Sequence, residues 1–92
     1  MIEAAVLNPG DNVGVALAEL KPRVKVKVHG LEFPVLLAEA IPYQHKFSIR
    51  QIDIGKEIIK DGVVIGKATQ DIGPGRHVHT HNMTGLRLKA IR

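Results

Sequence analysis

Three histidines alternate with other residues in the segment from position 75 to position 82. The segment reads Gly-Arg-His-Val-His-Thr-His-Asn, so His77, His79 and His81 occupy every second position. In an extended strand, side chains two residues apart point to the same face. Imidazoles on one face can bind a metal ion, move a proton near neutral pH or bind an anionic substrate. This segment is therefore the first candidate for chemistry in the chain.

Two neighbouring imidazoles of this row could share one metal ion. Same-face residues are roughly 6.5–7 Å apart along a strand, and an imidazole nitrogen lies about 2 Å from a bound metal. His77 with His79, or His79 with His81, is a credible pair, and the third histidine needs a turn. Asn82 can help to form that turn and can donate a hydrogen bond to a bound carboxylate or hydroxyl.

The type of metal and the completeness of the site follow from the ligands in the run. Imidazoles without thiolates suit Zn, Fe(II), Mn or Cu. The run contains no acid, and the nearest, Asp71, lies upstream beyond a Gly-Pro-Gly turn. Ligands from a second chain would complete such a site. The alternative is an exposed polar strand face on which the histidines have no ligand.

A second group of candidates contains one histidine and two lysines. His45 and Lys46 follow a predicted turn at 42–44, and Lys60 precedes the turn signal at 61–62. A lysine beside a histidine can bind a carboxylate and tune a proton transfer. We expect Lys60 to face the same space as His45 and Lys46. The alternative is that all three are ordinary surface residues.

Short β-branched runs separated by turn signals predict an all-β domain. The runs lie at 13–17, 24–28, 35–37, 63–65 and 77–80, and Asp-Gly, Pro-Gly and Gly-Pro-Gly signals separate them. One or two short helical turns are also expected, at 15–20 before Pro22 and at 46–52. Asp53-Ile54-Gly55 is echoed eighteen residues later by Asp71-Ile72-Gly73. Each copy predicts a turn that leads into a strand.

Composition restricts the class of protein. The 92 residues predict one domain over 1–92, with a small core of aliphatic side chains because aromatics make up only 3%. The absence of cysteine excludes disulfides and thiolate metal sites. The first residues lack the pattern of a signal peptide, and no apolar run approaches the roughly 20 residues of a membrane span. We therefore expect a cytoplasmic protein without a membrane partner.

The charge of +4 includes one dense basic stretch. Its basic residues alternate with valines, which is typical of a strand with one solvated and one apolar face. They are Lys21, Arg23, Lys25 and Lys27. A nucleic-acid groove is not expected, because aromatic residues are too few for base stacking. Attraction of an anionic substrate or an acidic partner surface is the other interpretation.

Four motifs follow one another between positions 11 and 82. They are Asp11-Asn12-Val13-Gly14-Val15-Ala16-Leu17, His45-Lys46-Phe47, Ile52-x-x-Gly55-x-x-Ile58-Ile59-Lys60-x-Gly62-x-x-Ile65-Gly66, and Ile72-x-x-Gly75-x-His77-Val78-His79-Thr80-His81-Asn82. In this order they resemble the SAF-type domain of altronate and galactarate dehydratases, which also occurs alone as the small subunit of two-chain relatives such as sulfolactate sulfo-lyase. Gln44 stands where a glycine commonly precedes the His-Lys pair, and Asp61 stands where an aromatic commonly follows the lysine.

The resemblance implies a small β-clip fold and a role in a hydro-lyase that acts on sugar acids with Fe(II) or Mn(II). A large subunit, or the rest of a fused chain, is expected to carry much of the site. By position, the resemblance implies three sets of site residues. These are His45, Lys46 and Lys60 as catalytic groups, Asn82 as a substrate-binding group, and His77, His79 and His81 as metal ligands.

The hypothesis from sequence is therefore the small subunit of an altronate- or galactarate-dehydratase-like lyase that is inactive without its large partner. The competing hypothesis is a non-catalytic β-clip module that binds a carbohydrate or a protein, because SAF-type folds serve several functions. A metal-delivery protein is a third. The isolated chain could also form a homo-oligomer. The sequence leaves open which sugar acid is used and whether water or sulfite leaves.

Overall fold

The computed structural model describes residues 2–85, which contain nine short strands joined by turns and irregular segments. Their pairings are antiparallel and form three sheets, with strand orders β1-β2-β5-β8, β3-β4 and β6-β7-β9. The strands are β1 (Ala4–Ala5), β2 (Val13–Ala16), β3 (Lys25–Val26), β4 (Val35–Leu36), β5 (Lys46–Ser48), β6 (Glu57–Lys60), β7 (Val63–Ala68), β8 (His77–Val78) and β9 (Met83–Gly85).

The predicted all-β class is confirmed, but the predicted helical turns are wrong. No residue within 2–85 is helical, so this range also contains no helix that could cross a membrane. The segment expected to form a turn at 46–52 contributes β5, which lies between β2 and β8. Pairing on both sides satisfies the backbone groups of β5, and this tertiary pairing overrides its mixed local pattern.

One local unit occurs four times and leads into four strands. Each copy starts at a residue in an isolated β-bridge, reaches a positive φ three positions later and enters a strand two positions after that. The bridges pair Leu20 with Ile41 and Ile52 with Ile72. The positive-φ residues are Arg23, Gln44, Gly55 and Gly75, and the strands are β3, β5, β6 and β8. Lys46 and His77 therefore occupy equivalent positions, each five residues after its bridge residue.

The register of the sequence echo differs from the predicted one. The echo aligned position 53 with position 71, whereas the structural repeat aligns Ile52 with Ile72. The bridge residue and the left-handed position define the repeat, and the Asp-Ile-Gly letters do not. At Gly75 (φ 76°) a Cβ would lie 2.1 Å from the Leu36 carbonyl oxygen, so only glycine fits. Gln44 (φ 70°) adopts the same conformation with a side chain, which is unfavourable for a non-glycine residue.

The sheet β1-β2-β5-β8 separates two hydrophobic clusters. Side chains alternate across a strand, so Phe47 and Val78 point to opposite faces because Phe47 pairs with His77. The first cluster contains Ala16, Leu37, Ile41 and Phe47 among others, and the second contains Val13, Ile52, Ile58, Ala68, Ile72 and Val78. Successive residues at the ends of β5 and β8 therefore lie alternately beside the first cluster and beside the second.

A buried carboxylate joins the β6–β7 hairpin to the rest of the fold. Asp61 and Gly62 both have positive φ, which is typical of a tight Asp-Gly hairpin turn. The Asp11 carboxylate accepts their two backbone N–H groups, each at 2.9 Å. The Asn12 side chain bonds the next strand residues, accepting from the Ile59 N–H at 2.8 Å. The Asp11-Asn12 motif therefore has a structural role in this fold.

Candidate functional site

Pairing of β5 with β8 brings a distant histidine to the histidine run. Lys46 pairs with Val78 and Phe47 pairs with His77, so His45 lies one step further along, opposite His79. The ring centroid of His45 is 4.8 Å from that of His79 and 5.0 Å from that of His77. Three imidazoles at the ends of β5 and β8 therefore converge on the face of the sheet that carries Phe47.

The ring nitrogens of three histidines lie near the spacing that a single divalent metal requires. One ligand nitrogen from each of His45, His77 and His79 lies within 4.8 Å of the other two. Two nitrogens bound at about 2.1 Å lie about 3.4 Å apart at a tetrahedral angle and at most about 4.2 Å apart. His45 Nδ1 and His77 Nε2 are 2.8 Å apart, so binding of one ion would require these two rings to separate slightly and the exposed His79 ring to rotate toward them.

The strand of the run is shorter than the predicted 77–80, because β8 ends at Val78. A turn follows, in which the Asn82 N–H donates to the His79 carbonyl at 3.1 Å. The buried Asn82 amide holds this turn, since its oxygen accepts the His79 N–H and its nitrogen donates to the His77 carbonyl. Turn formation by Asn82 is therefore observed, and its role in substrate binding stays a prediction.

The turn gives His81 a different place from the other two histidines of the run. The His81 ring lies tilted beside that of His77, with centroids 5.5 Å apart, and His81 is not part of the three-nitrogen group. The sequence placed His77, His79 and His81 together as ligands. The structure groups His45 with His77 and His79, and leaves His81 beside them as an exposed imidazole.

His77 is electrostatically disfavoured as a cation. Burial lowers the pKa of His77, and nearby positive charge on His45, His79 and His81 lowers it further. Glu39 acts in the opposite direction and raises the pKa of His77. The Glu39 carboxylate accepts the His77 backbone N–H at 3.1 Å. A neutral imidazole is the form that binds a metal, so this environment favours His77 as a ligand.

The two lysines lie on the other face of the sheet. Lys46 pairs with Val78, so strand alternation directs its side chain to the face of the second cluster, away from His45 and His77. Burial lowers the pKa of Lys46, and the charge of Lys60 lowers it further. Lys60 also forms an ion pair with Asp61 at 2.9 Å. Lys60 is thus near enough to Lys46 to lower its pKa, whereas His45 belongs to a separate cluster.

Two charged residues beside the histidines were not predicted. Glu39 lies in the segment between β4 and β5, and Arg76 precedes β8, with Arg76 Nη1 and Glu39 Oε2 3.9 Å apart. Neither occurs in a motif that implies chemistry. Arg76 has a signal in its position, since it directly precedes His77 and occupies the repeat position equivalent to His45. Glu39 has no such signal.

The fold and the imidazole cluster define a small antiparallel β-clip domain with a three-histidine site. Residues 2–86 match the family model described as the altronate/galactarate dehydratase SAF domain. The chain therefore belongs to this SAF-domain family. The resemblance in the sequence motifs is confirmed over almost the whole described chain.

Three relatives are similar to this chain over most of its length. The altronate dehydratases of Escherichia coli (strain K12) and Bacillus subtilis (strain 168) are 43% and 35% identical over 72 residues, which is 78% of this chain but 14% of each of theirs. A (2R)-sulfolactate sulfo-lyase subunit alpha from Chromohalobacter salexigens is 36% identical over 89 residues, covering 89% of this chain and 93% of that subunit. The chain thus spans a small part of the dehydratases and nearly all of the sulfo-lyase subunit.

Proposed function

We propose that this chain is the small component of a sugar-acid hydro-lyase and forms its site together with a larger chain. The convergence of His45, His77 and His79 carries the proposal, because a domain that only binds a partner protein does not need three imidazoles grouped at one place. The names of the relatives add support, since they are dehydratases and a lyase subunit. In this proposal the enzyme is cytoplasmic and the chain is inactive alone.

The proposed chemistry is dehydration of a carboxylate that carries hydroxyl groups. A base removes the proton from the carbon beside the carboxylate, the C–O bond at the next carbon breaks, and an acid protonates the departing hydroxyl, which leaves as water. The resulting enol becomes a 2-keto acid. In a lyase of the sulfolactate type, sulfite would leave in place of water.

Three of the histidines would hold a divalent metal, Fe(II) or Mn(II). When bound, such an ion stabilises negative charge on the substrate oxygens. His45, His77 and His79 would bind it through one nitrogen each, with the larger chain supplying further ligands. His81, exposed beside His77, would be available to take or give a proton.

The lysines have a separate role in this proposal. Lys46 and Lys60 would bind a carboxylate on their own face of the sheet, because the charge of Lys60 lowers the pKa of Lys46 and a bound anion would offset this repulsion. Asn82 would act by holding the turn that carries His79.

An apolar groove supports the need for a larger partner. It has a volume of about 640 Å³ and includes the exposed side chains of Phe33 and Leu36. Exposed apolar patches of this kind mark surfaces that other proteins cover. The same groove also favours the second candidate function, a non-catalytic module that binds a protein through this face.

Co-expression with a large dehydratase chain from the same genome tests the proposal. Turnover of altronate, galactarate and sulfolactate is measured with Fe(II) or Mn(II), for the pair and for each chain alone. We expect activity only from the pair, and at least about a hundredfold loss in His79→Ala. His29→Ala, which removes an imidazole outside the cluster, is the matched control. A stable pair without turnover would favour the binding module, and full activity in His79→Ala would remove His79 from the site.

A further inference from the structure

A polar cleft adjoins the histidine cluster and has no part in the proposed chemistry so far. Its volume is about 430 Å³, within the about 300–1,000 Å³ typical of small-molecule sites. The side chains that matter are those of Glu39, Gln70, Asp71, Arg76 and His81. His81 lies between the cleft and the histidine cluster, since it lines the cleft and its ring lies 5.5 Å from that of His77. A ligand in the cleft would therefore extend directly to the histidine cluster.

The cleft offers both hydrogen-bond acceptors and donors. Asp71 uses one carboxylate oxygen to accept the Ile54 N–H at 2.8 Å, and Gln70 uses its amide nitrogen to reach the His81 carbonyl. The second oxygen of Asp71 and the amide oxygen of Gln70 can each accept from a ligand. The Arg76 guanidinium lies 3.9 Å from Glu39, beyond hydrogen-bond distance, so its N–H groups can donate.

The charge of the cleft decides which ligand it suits. Two carboxylates, those of Glu39 and Asp71, line the cleft together with a single guanidinium, that of Arg76. A ligand group with its own negative charge is repelled by such a surface. Hydroxyl groups are suited to it, because each can donate to a carboxylate and accept from a guanidinium.

We propose that this cleft binds the uncharged hydroxylated end of the substrate, while the reacting carboxylate lies at the histidine cluster. The substrate class is then a monocarboxylic sugar acid of the aldonate type, and a dicarboxylic acid with a second carboxylate at its far end is disfavoured. Glu39, Asp71 and Arg76 set this specificity without taking part in the dehydration. The proposal rests on the proposed function and deepens it.

The test compares altronate, an aldonate, with galactarate, which carries a carboxylate at both ends, in the assembled two-chain enzyme. Wild type is expected to have the higher kcat/KM for altronate. Glu39→Gln and Asp71→Asn each keep the oxygen that accepts a backbone N–H, so the fold is retained. In either variant the preference is expected to shift toward galactarate by about tenfold, because one repelling charge is lost.

Asp53→Asn is the matched control, since it removes an exposed acid outside the cleft and is expected to leave the preference unchanged. An unchanged preference in both cleft variants, or a wild type that prefers galactarate, would overturn the proposal while the hydro-lyase function stands.

Loss of the proposed function has a different signature, namely no turnover of either acid by the wild-type pair. In that case altronate is titrated into the ¹⁵N-labelled chain. Shifts of the amides of Gln70, Asp71 and Arg76 that disappear in Asp71→Asn support the cleft as a polyol site. Absence of those shifts overturns it.

Discussion

His45 Nδ1 and His77 Nε2 lie 2.8 Å apart, so one proton is shared between imidazoles that are 32 positions apart in the chain. One ring donates an N–H and the other accepts it through a lone pair. A metal bound by both nitrogens would replace that proton, because a ligating nitrogen must offer its lone pair. A bound metal would therefore compete with this hydrogen bond, and the two nitrogens would separate from 2.8 Å to about 3.4 Å for tetrahedral coordination.

Removal of a ligand from the three-histidine cluster is expected to weaken metal binding by at least about tenfold. Co(II), which reports its coordination through visible absorption, is titrated into the isolated chain and into His45→Ala. His81→Ala is the control, because His81 lies outside the three-nitrogen group. Equal affinity in His45→Ala, or loss in His81→Ala alone, would contradict the cluster as described and restore the ligand set predicted from the run.

Stability of the metal-free chain is expected to fall in mild acid because of His77. Its pKa is lowered in the folded protein by burial first and by the neighbouring histidines second. The unfolded chain, with a pKa of about 6.5 for this group, then binds more protons than the folded one. The stabilisation is complete above about pH 6.5 and is lost as the pH falls through the folded pKa.

Urea unfolding at pH 7.5 and pH 5 in the presence of a chelator measures this loss. His77→Gln, which has no titrating group, should lose less stability over the same interval, with His29→Gln as the control. An equal loss in wild type and His77→Gln would assign the acid sensitivity to other groups.

The pKa of Lys46 is expected to rise when Lys60 is replaced by methionine. The charge of Lys60 is the second cause of the lowered pKa of Lys46, and burial is the first, so the rise should be partial. Titration of ¹³C-methylated lysines by NMR measures it directly. Lys25→Met removes an exposed lysine on β3 and should leave Lys46 unchanged. A Lys46 resonance that titrates identically in Lys60→Met would show that the two side chains do not interact.

Loss of the Asp11 carboxylate is expected to destabilise the fold. Its oxygens accept the N–H groups of Asp61 and Gly62, and Asp11 is 1% exposed. Asp11→Ala leaves two N–H groups without this acceptor, at about 2–4 kcal/mol of unfolding free energy. Asp11→Asn keeps one acceptor and should fall between. Urea unfolding measures the stability of both variants. A change below about 0.5 kcal/mol in Asp11→Ala would show that the hydrogen bonds of Asp11 do not stabilise the fold.

Gln44→Gly is expected to stabilise the chain by about 1 kcal/mol, because Gln44 has a φ of 70° that glycine adopts without strain. The gain is partly offset by the greater freedom of glycine in the unfolded chain. Thermal unfolding measures the change. Gly75→Ala is the opposite test, since its Cβ would collide with the Leu36 carbonyl, and it should destabilise strongly. A destabilised Gln44→Gly would mean that the side chain makes a compensating contact.

Local features were the ones that sequence patterns predicted well. Runs of β-branched residues between turn signals correspond to β2, β3, β4, β7 and β8, because strand propensity and turn chemistry depend on a few neighbouring residues. The turn after His79 was expected for the same reason. The helical turn at 46–52 failed where a tertiary pairing competed with a weak local pattern, since β5 is paired on both sides.

What the sequence by itself determined was the all-β class, the family and a histidine-rich site near position 79. The tertiary structure alone decided that His45 joins His77, that Lys46 faces away from both, and that Glu39 and Arg76 line a cleft beside them. These relationships depend on the register of β5 against β8. A shift of one residue in that register would move every side chain of β5 to the other face of the sheet. Packing of the two hydrophobic clusters, whose residues lie far apart in the sequence, sets the register.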